Sequence, residues 1–167
     1  MKKTLLLLLV VLLLIPLSPN AKVNLNTKKE VFSLLQDAFQ VQVSLSEKTR
    51  TKNEIIDLLD PYFTKSYQNL FWKENIFDEE GKFVTYGSDF APYYIPFFQY
   101  SNKTKVVISP ESIYVFEFFP ASTDGPVGYD DHYEGVLLKK VDGGWKVDQF
   151  LYNNIPDSIL ESANSSF

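Results

Sequence analysis

The chain has no cysteine, one histidine (His132) and one arginine (Arg50). Without cysteine it can form no disulfide, and no lipoprotein-type acylation can follow a leader. Small exported folds often lean on disulfides, so this one must be held by core packing. A lone histidine leaves a metal site without the second imidazole that such sites commonly recruit. Lysine and arginine total 16 against 21 aspartates and glutamates. That balance makes electrostatic binding to nucleic acid or anionic lipid a poor expectation. Nucleotide-binding loops, metal-ligand spacings and a nucleophile elbow are also missing. No cofactor is implied.

An apolar run from Leu5 to Ile15 follows the positive start Met1-Lys2-Lys3 and leads to the polar turn Ser18-Pro19-Asn20-Ala21. These are the parts of a secretory leader, and the run falls short of the roughly 17–25 residues that span a bilayer. Cleavage after Ala21 is expected. Pro19 at position −3 is unfavourable, and an uncleaved leader would make residues 1–21 a membrane anchor. The chain is therefore expected to be exported, either secreted or held at the cell surface. A two-lysine leader without cysteine suits a bacterial protein. Residues 22–167, 146 of the 167, make a single domain, and loss of Lys2 and Lys3 leaves 14 basic against 21 acidic residues, a net charge near −7. Aromatic residues supply 16% of the chain, large areas for a core without disulfides.

Three helices come first. Thr27-Lys28-Lys29-Glu30 and Thr51-Lys52-Asn53-Glu54 are capping boxes. The first precedes Val31, Leu35, Ala38 and Leu45 at helical spacing, with Phe32, Leu34 and Phe39 widening the stripe. Asp60-Pro61 reads as the start of a third helix, with proline at its first position, and carries Phe63, Tyr67, Leu70 and Phe71. Asp78–Gly81 is a turn, and Lys82 to Tyr86 a short strand. Gly87 to Tyr100 is irregular, because two prolines exclude a long helix, and it is too aromatic for a linker.

The last third is β. Lys105–Ser109 is a short strand. In Ser112–Phe119, Tyr114, Phe116 and Phe118 alternate with Ile113, Val115 and Glu117. A polar loop from Pro120 to Asp131 leads to the strand His132–Val141. The hairpin signal Asp142-Gly143-Gly144 joins it to Trp145–Tyr152, with Trp145, Val147 and Leu151 expected on one face. A short helix follows Pro156, and Ser162–Phe167 should fray. Helices followed by antiparallel strands predict an α+β fold, with the helices laid on one face of the sheet.

The capped pair Thr51 to Leu70, with its Tyr62-Phe63 step, and the closing hairpin Gly135 to Asp148, with its Gly-Gly-Trp-Lys-Val turn, resemble the NTF2-like (cystatin-related) cone. That resemblance implies N-terminal helices packed on a curved antiparallel sheet. Over nearly its full length the chain also resembles small exported domain-of-unknown-function proteins of Bacillus-type bacteria. NTF2-like domains include enzymes, ligand holders and protein-interaction modules, so the fold alone selects none of them.

Candidate chemistry is sparse. In Asp130-Asp131-His132, two carboxylates beside the histidine could bind a cation or let it act as a general base. Adjacent strand residues point to opposite faces, and a solvated loop end accounts for the cluster equally simply. Glu117, in an apolar strand, could face a pocket, pair with Lys139 or Lys146, or lie on a face open to water. Asp89, Phe90, Tyr93, Tyr94 and Phe97, with Tyr114, could wall an apolar ligand pocket with one polar anchor, or the same rings could be core. The expected function is a non-catalytic exported module binding a protein or a small apolar ligand. The alternatives are an NTF2-like enzyme using His132 with Asp131 or Glu117 as general base, and a self-associating homodimeric domain.

Overall fold

In the computed structural model, which describes residues 25–87, 91–124 and 128–165, both capping boxes form as the sequence predicts. Thr27 accepts from the Glu30 amide and the Glu30 carboxylate reaches back to the Thr27 amide, opening α1 (Lys28–Ser44). Thr51 and Glu54 do the same for α2 (Lys52–Leu59). The leader expected over 1–21, together with Asp89 and Phe90, lies outside the described residues. Among the described residues no helix is long and apolar enough to cross a membrane.

The third helix begins later than the Asp60-Pro61 signal suggests. Asp60 is the C-cap of α2, and α3 (Lys65–Asn75) is capped by Thr64, whose hydroxyl accepts from the Tyr67 amide. The residues between are diverted into sheet contact. Thr64 N–H donates to the Val147 carbonyl at 2.9 Å and Val147 N–H to the Tyr62 carbonyl at 2.8 Å. This pairing, which no local signal announces, draws Phe63 into the core at 1% exposure and leaves Leu70, 44% exposed, off the buried stripe.

A hairpin follows, whose turn and second strand the sequence predicts and whose first strand it does not. β1 (Phe77–Glu79) pairs with β2 (Lys82–Val84) through a turn in which Glu80 and Gly81 both take positive φ. β3 (Lys105–Ile108), β4 (Ser112–Phe119), β5 (His132–Val141) and β6 (Gly144–Tyr152) then make an antiparallel meander in that order. Asp142 and Gly143, at φ 52° and 80°, form the tight β5–β6 turn, whose backbone twist matches that of the strands.

One face of the meander carries Ile113, Val115, Val136, Leu138, Trp145 and Val147, packed with the buried stripes of α1, α2 and α3. The other carries Phe116, Leu137 and Leu151, covered by Ile155 and by Ile159, Leu160 and Ala163 of α4 (Asp157–Ser165). Leu151 thus lies opposite Trp145 and Val147, contrary to strict alternation. The register slips at Leu137/Leu138, where Leu137 pairs with Gln149 and Leu138 with Val147, leaving Asp148 as the extra residue of a bulge. One extra residue reverses the facing of everything beyond it. At the C-terminus, Ser162 and Ser165 lie inside α4, their hydroxyls donating to the carbonyls four residues back.

Candidate functional site

Irregular backbone has no ladder to satisfy its amides and carbonyls, so other groups must do so. Segment 91–100 crosses the helical face of the sheet and is held by polar residues inserted into otherwise apolar helix stripes. Gln42 continues the row Val31, Leu35, Ala38 of α1 and is fully buried. Its Nε2 donates to the Tyr93 carbonyl at 2.7 Å, and its Oε1 accepts from the Ile95 amide at 2.9 Å. The Tyr67 hydroxyl donates to the same Tyr93 carbonyl at 2.9 Å, and Asn75 Nδ2 to the Pro92 carbonyl at 2.8 Å. These bonds hold Tyr93 at φ 63° and make the segment a strap over the core. A bulky residue accepts that region only when its surroundings over-determine it.

The rings proposed as pocket walls divide accordingly. Tyr93 and Tyr94 are half-buried against the main core. Burial raises the Tyr94 hydroxyl above its ordinary pKa, against a smaller opposite effect of the Thr85 hydroxyl. Phe97 is 62% exposed and sits edge-on to Phe39 at 5.4 Å. Tyr114 packs on the opposite face of the sheet, towards α4. The structure therefore gathers Tyr93 and Tyr94 but not Tyr114.

Glu117 is 1% exposed, and neither suggested lysine meets it. Lys139 binds Asp148 at 2.8 Å and Lys146 approaches Asp60 at 3.5 Å. Instead Glu117 Oε2 accepts from the Thr104 hydroxyl at 2.8 Å and the Gln99 amide at 3.0 Å. The Gln99 bond fastens the far end of the strap to β4, and the Thr104 bond ties the residue before β3 to the same carboxylate. Lys28 donates to the Ser101 carbonyl at 2.9 Å beside them. Its pKa is lowered by burial and by the Lys105 charge, against the pull of Glu117.

His132 lies two ladder positions farther along the same sheet face, at the start of β5. It pairs with Phe119 across β4–β5, and Glu134 pairs with Tyr152 across β5–β6. Three rings therefore stand in a row across three strands. Phe119 stacks on the imidazole with centroids 5.5 Å apart at 14°, and Tyr152 at 4.9 Å and 28°, while Tyr129 meets it edge-on at 5.2 Å. The imidazole is 6% exposed. Its Nδ1 lies 2.7 Å from the Asp130 carbonyl and its Nε2 3.3 Å from Glu134 Oε1. A carbonyl only accepts, so Nδ1 carries a proton; the Glu134 contact becomes a hydrogen bond when Nε2 carries one too. Nδ1 is thereby engaged, and Nε2 faces the Glu134 carboxylate.

Asp131 turns away from this group. Its carboxylate accepts from the Ala121 amide and closes the loop neck together with the backbone pair Ser122–Tyr129. Glu117 and Glu134 are directly opposite in the β4–β5 ladder, where like charges destabilise. Each turns to its own partners, Thr104 and Gln99 for Glu117 and the His132 ring for Glu134. Among the described residues no three acidic or histidine side chains converge as a metal site requires. Glu134 was readable in principle, since residues i and i+2 of a strand share a face. Phe119, Tyr129 and Tyr152 gave no local signal, because pairing and loop closure bring them together.

Helices on one face of a four-stranded meander and a C-terminal helix on the other define the chain as a small α+β domain with a strapped, aromatic-rich sheet. The family model described as "Protein of unknown function (DUF3993)" matches residues 27–119, more than half of the chain, and the chain belongs to that family. The matched span runs from the cap of α1 to the last residue of β4. It contains the strap and Glu117 and stops short of His132. No curated protein matches the chain.

Proposed function

We propose that this is an exported, non-catalytic binding module, read as an NTF2-like cone, that holds a protein partner through the aromatic end of its sheet. The observation that carries this reading is the ring row around His132. Tyr129 and Tyr152 remain 44% and 53% exposed while standing against a buried imidazole that fixes their positions. Rigid aromatic rings with one side packed and the other open to solvent suit protein contact, because little side-chain freedom is lost on binding. The burial of the imidazole between the Phe119 and Tyr152 rings favours a structural over a general-base role. The bulge and the helices on one face support the cone reading, and α4 closes the opposite face.

Photo-crosslinking in the native exported fraction tests the proposal. A photoreactive phenylalanine replaces Tyr129 or Tyr152, with Gln36 on the exposed side of α1 as control. A discrete protein adduct from positions 129 and 152 is expected. Adducts from 36 alone, or from no position, would overturn the reading.

A further inference from the structure

Resting on that reading, we propose that the partner presents an arginine-bearing, basic segment whose guanidinium stacks on the outer face of Tyr152, next to Tyr129. Tyr152 lies on β6, the edge strand of the meander. Its inner side holds the imidazole at 4.9 Å, and among the described residues no further strand lies beyond β6 in this sheet. The ring face is therefore presented sideways, at the end of a row whose other members are buried or half-buried. Planar nitrogen groups already suit this row, since His132 lies nearly parallel to both its neighbours, at 14° and 28°. An arginine plane added outside Tyr152 would extend the stack by one member.

Charge selects the sign of the occupant. Between Lys105 and Lys139 the sequence contains no lysine or arginine, and none follows Lys146. Glu134 is the ladder partner of Tyr152, and Asp130, next to Tyr129, is exposed. Lys139 lies seven residues along β5 from His132, about 23 Å at 3.3 Å per residue, and is bound to Asp148. Lys105 is on β3, at the opposite edge of the sheet. Lys28, beside Glu117 on the same face, is held by the Ser101 carbonyl, and the carboxylates of Glu134 and Asp130 in a chain of net charge −5 attract and orient a basic partner. Arginine is preferred to lysine because its flat, weakly hydrated guanidinium stacks on a ring and can still reach a carboxylate.

The full chain is titrated with a ten-residue peptide alternating Arg and Ser, with its Lys and Glu counterparts, at two salt concentrations. The Arg peptide is expected to bind at least about 2-fold tighter than the Lys peptide, and more weakly at high salt. Tyr152→Leu and Tyr129→Leu should each weaken it by about 2- to 5-fold. Tyr152→Phe, which keeps the ring, and Tyr86→Leu, which removes an exposed ring elsewhere, should bind as the parent does. Equal Arg and Lys affinities untouched by Tyr152→Leu would overturn the inference in favour of unspecific charge attraction. Binding of the Glu peptide, or of no peptide, would overturn it as well. A crosslinked partner at position 152 that the Arg peptide cannot displace would leave the binding module standing and remove only its arginine preference.

Discussion

Asp148, the extra residue of the β6 bulge, accepts the hydroxyl of Thr64, the cap of α3, at 3.0 Å. The bulge therefore also fixes where a helix starts. Ser66 adds a bond at 3.3 Å and Lys139 an ion pair at 2.8 Å. Burial alone would raise the Asp148 pKa, but Lys139, Thr64 and Ser66 outweigh it and hold the carboxyl below its ordinary value. A carboxylate depressed in the folded state stabilises above its unfolded pKa near 4, and that stability is lost as pH falls through the lower folded value. Asp148→Asn should cost about 1.5 kcal/mol at neutral pH and flatten the acid limb of the stability curve. Urea unfolding between pH 2 and pH 7 reads both effects; an unchanged acid limb would show that the charge contributes nothing.

The strap depends on Gln42 more than on any of its own rings. Gln42→Leu keeps the volume and removes both bonds, leaving the Ile95 amide without its acceptor and the Tyr93 carbonyl with Tyr67 alone. A loss of about 2–4 kcal/mol is expected from the stranded polar groups. Hydrogen exchange at the Ile95 amide should accelerate more than at core amides of β4. Equal acceleration across the sheet would mean that the strap is not a separate opening unit.

His132→Gln removes the middle ring of the row and with it two stacks and the edge contact from Tyr129. A stability loss of about 1–3 kcal/mol is expected. Amide exchange at Ser122 and Tyr129, the loop neck, should rise with it. The catalytic alternative makes a different demand: the glutamine chain would keep its stability and lose a turnover.

Local chemistry was legible in the sequence and long-range chemistry was not. The two capping boxes and the Asp142-Gly143 turn are decided within four residues, and each appears where the sequence puts it. The start of α3 was misplaced because Asp60-Pro61 is a sound local signal that a pairing with Val147, more than eighty residues away, overrides. Leu151 was given the wrong face because a bulge depends on the partner strand. Among the site residues, Glu117 was left open between a pocket, a lysine partner and water, because its donors, Gln99 of the strap and Thr104 just before β3, come from outside its strand. For His132, the adjacent carboxylates attracted attention, whereas the side chains packed on it come from β4, β6 and the far side of the loop. Such neighbours are set by topology, and one sequence carries no direct record of it.

The bulge at Asp148 acts as a reading frame for the sheet. If Asp148 took a place in the ladder at unchanged length, plain alternation would return and the rest of β6 would invert. Leu151 would turn from α4 towards the helices, and Tyr152 would leave the ring row for the other face. Deleting Asp148 would instead leave Gln149 to Tyr152 on their present partners, so the surface proposed for binding depends on one residue being skipped and not on the length of the strand.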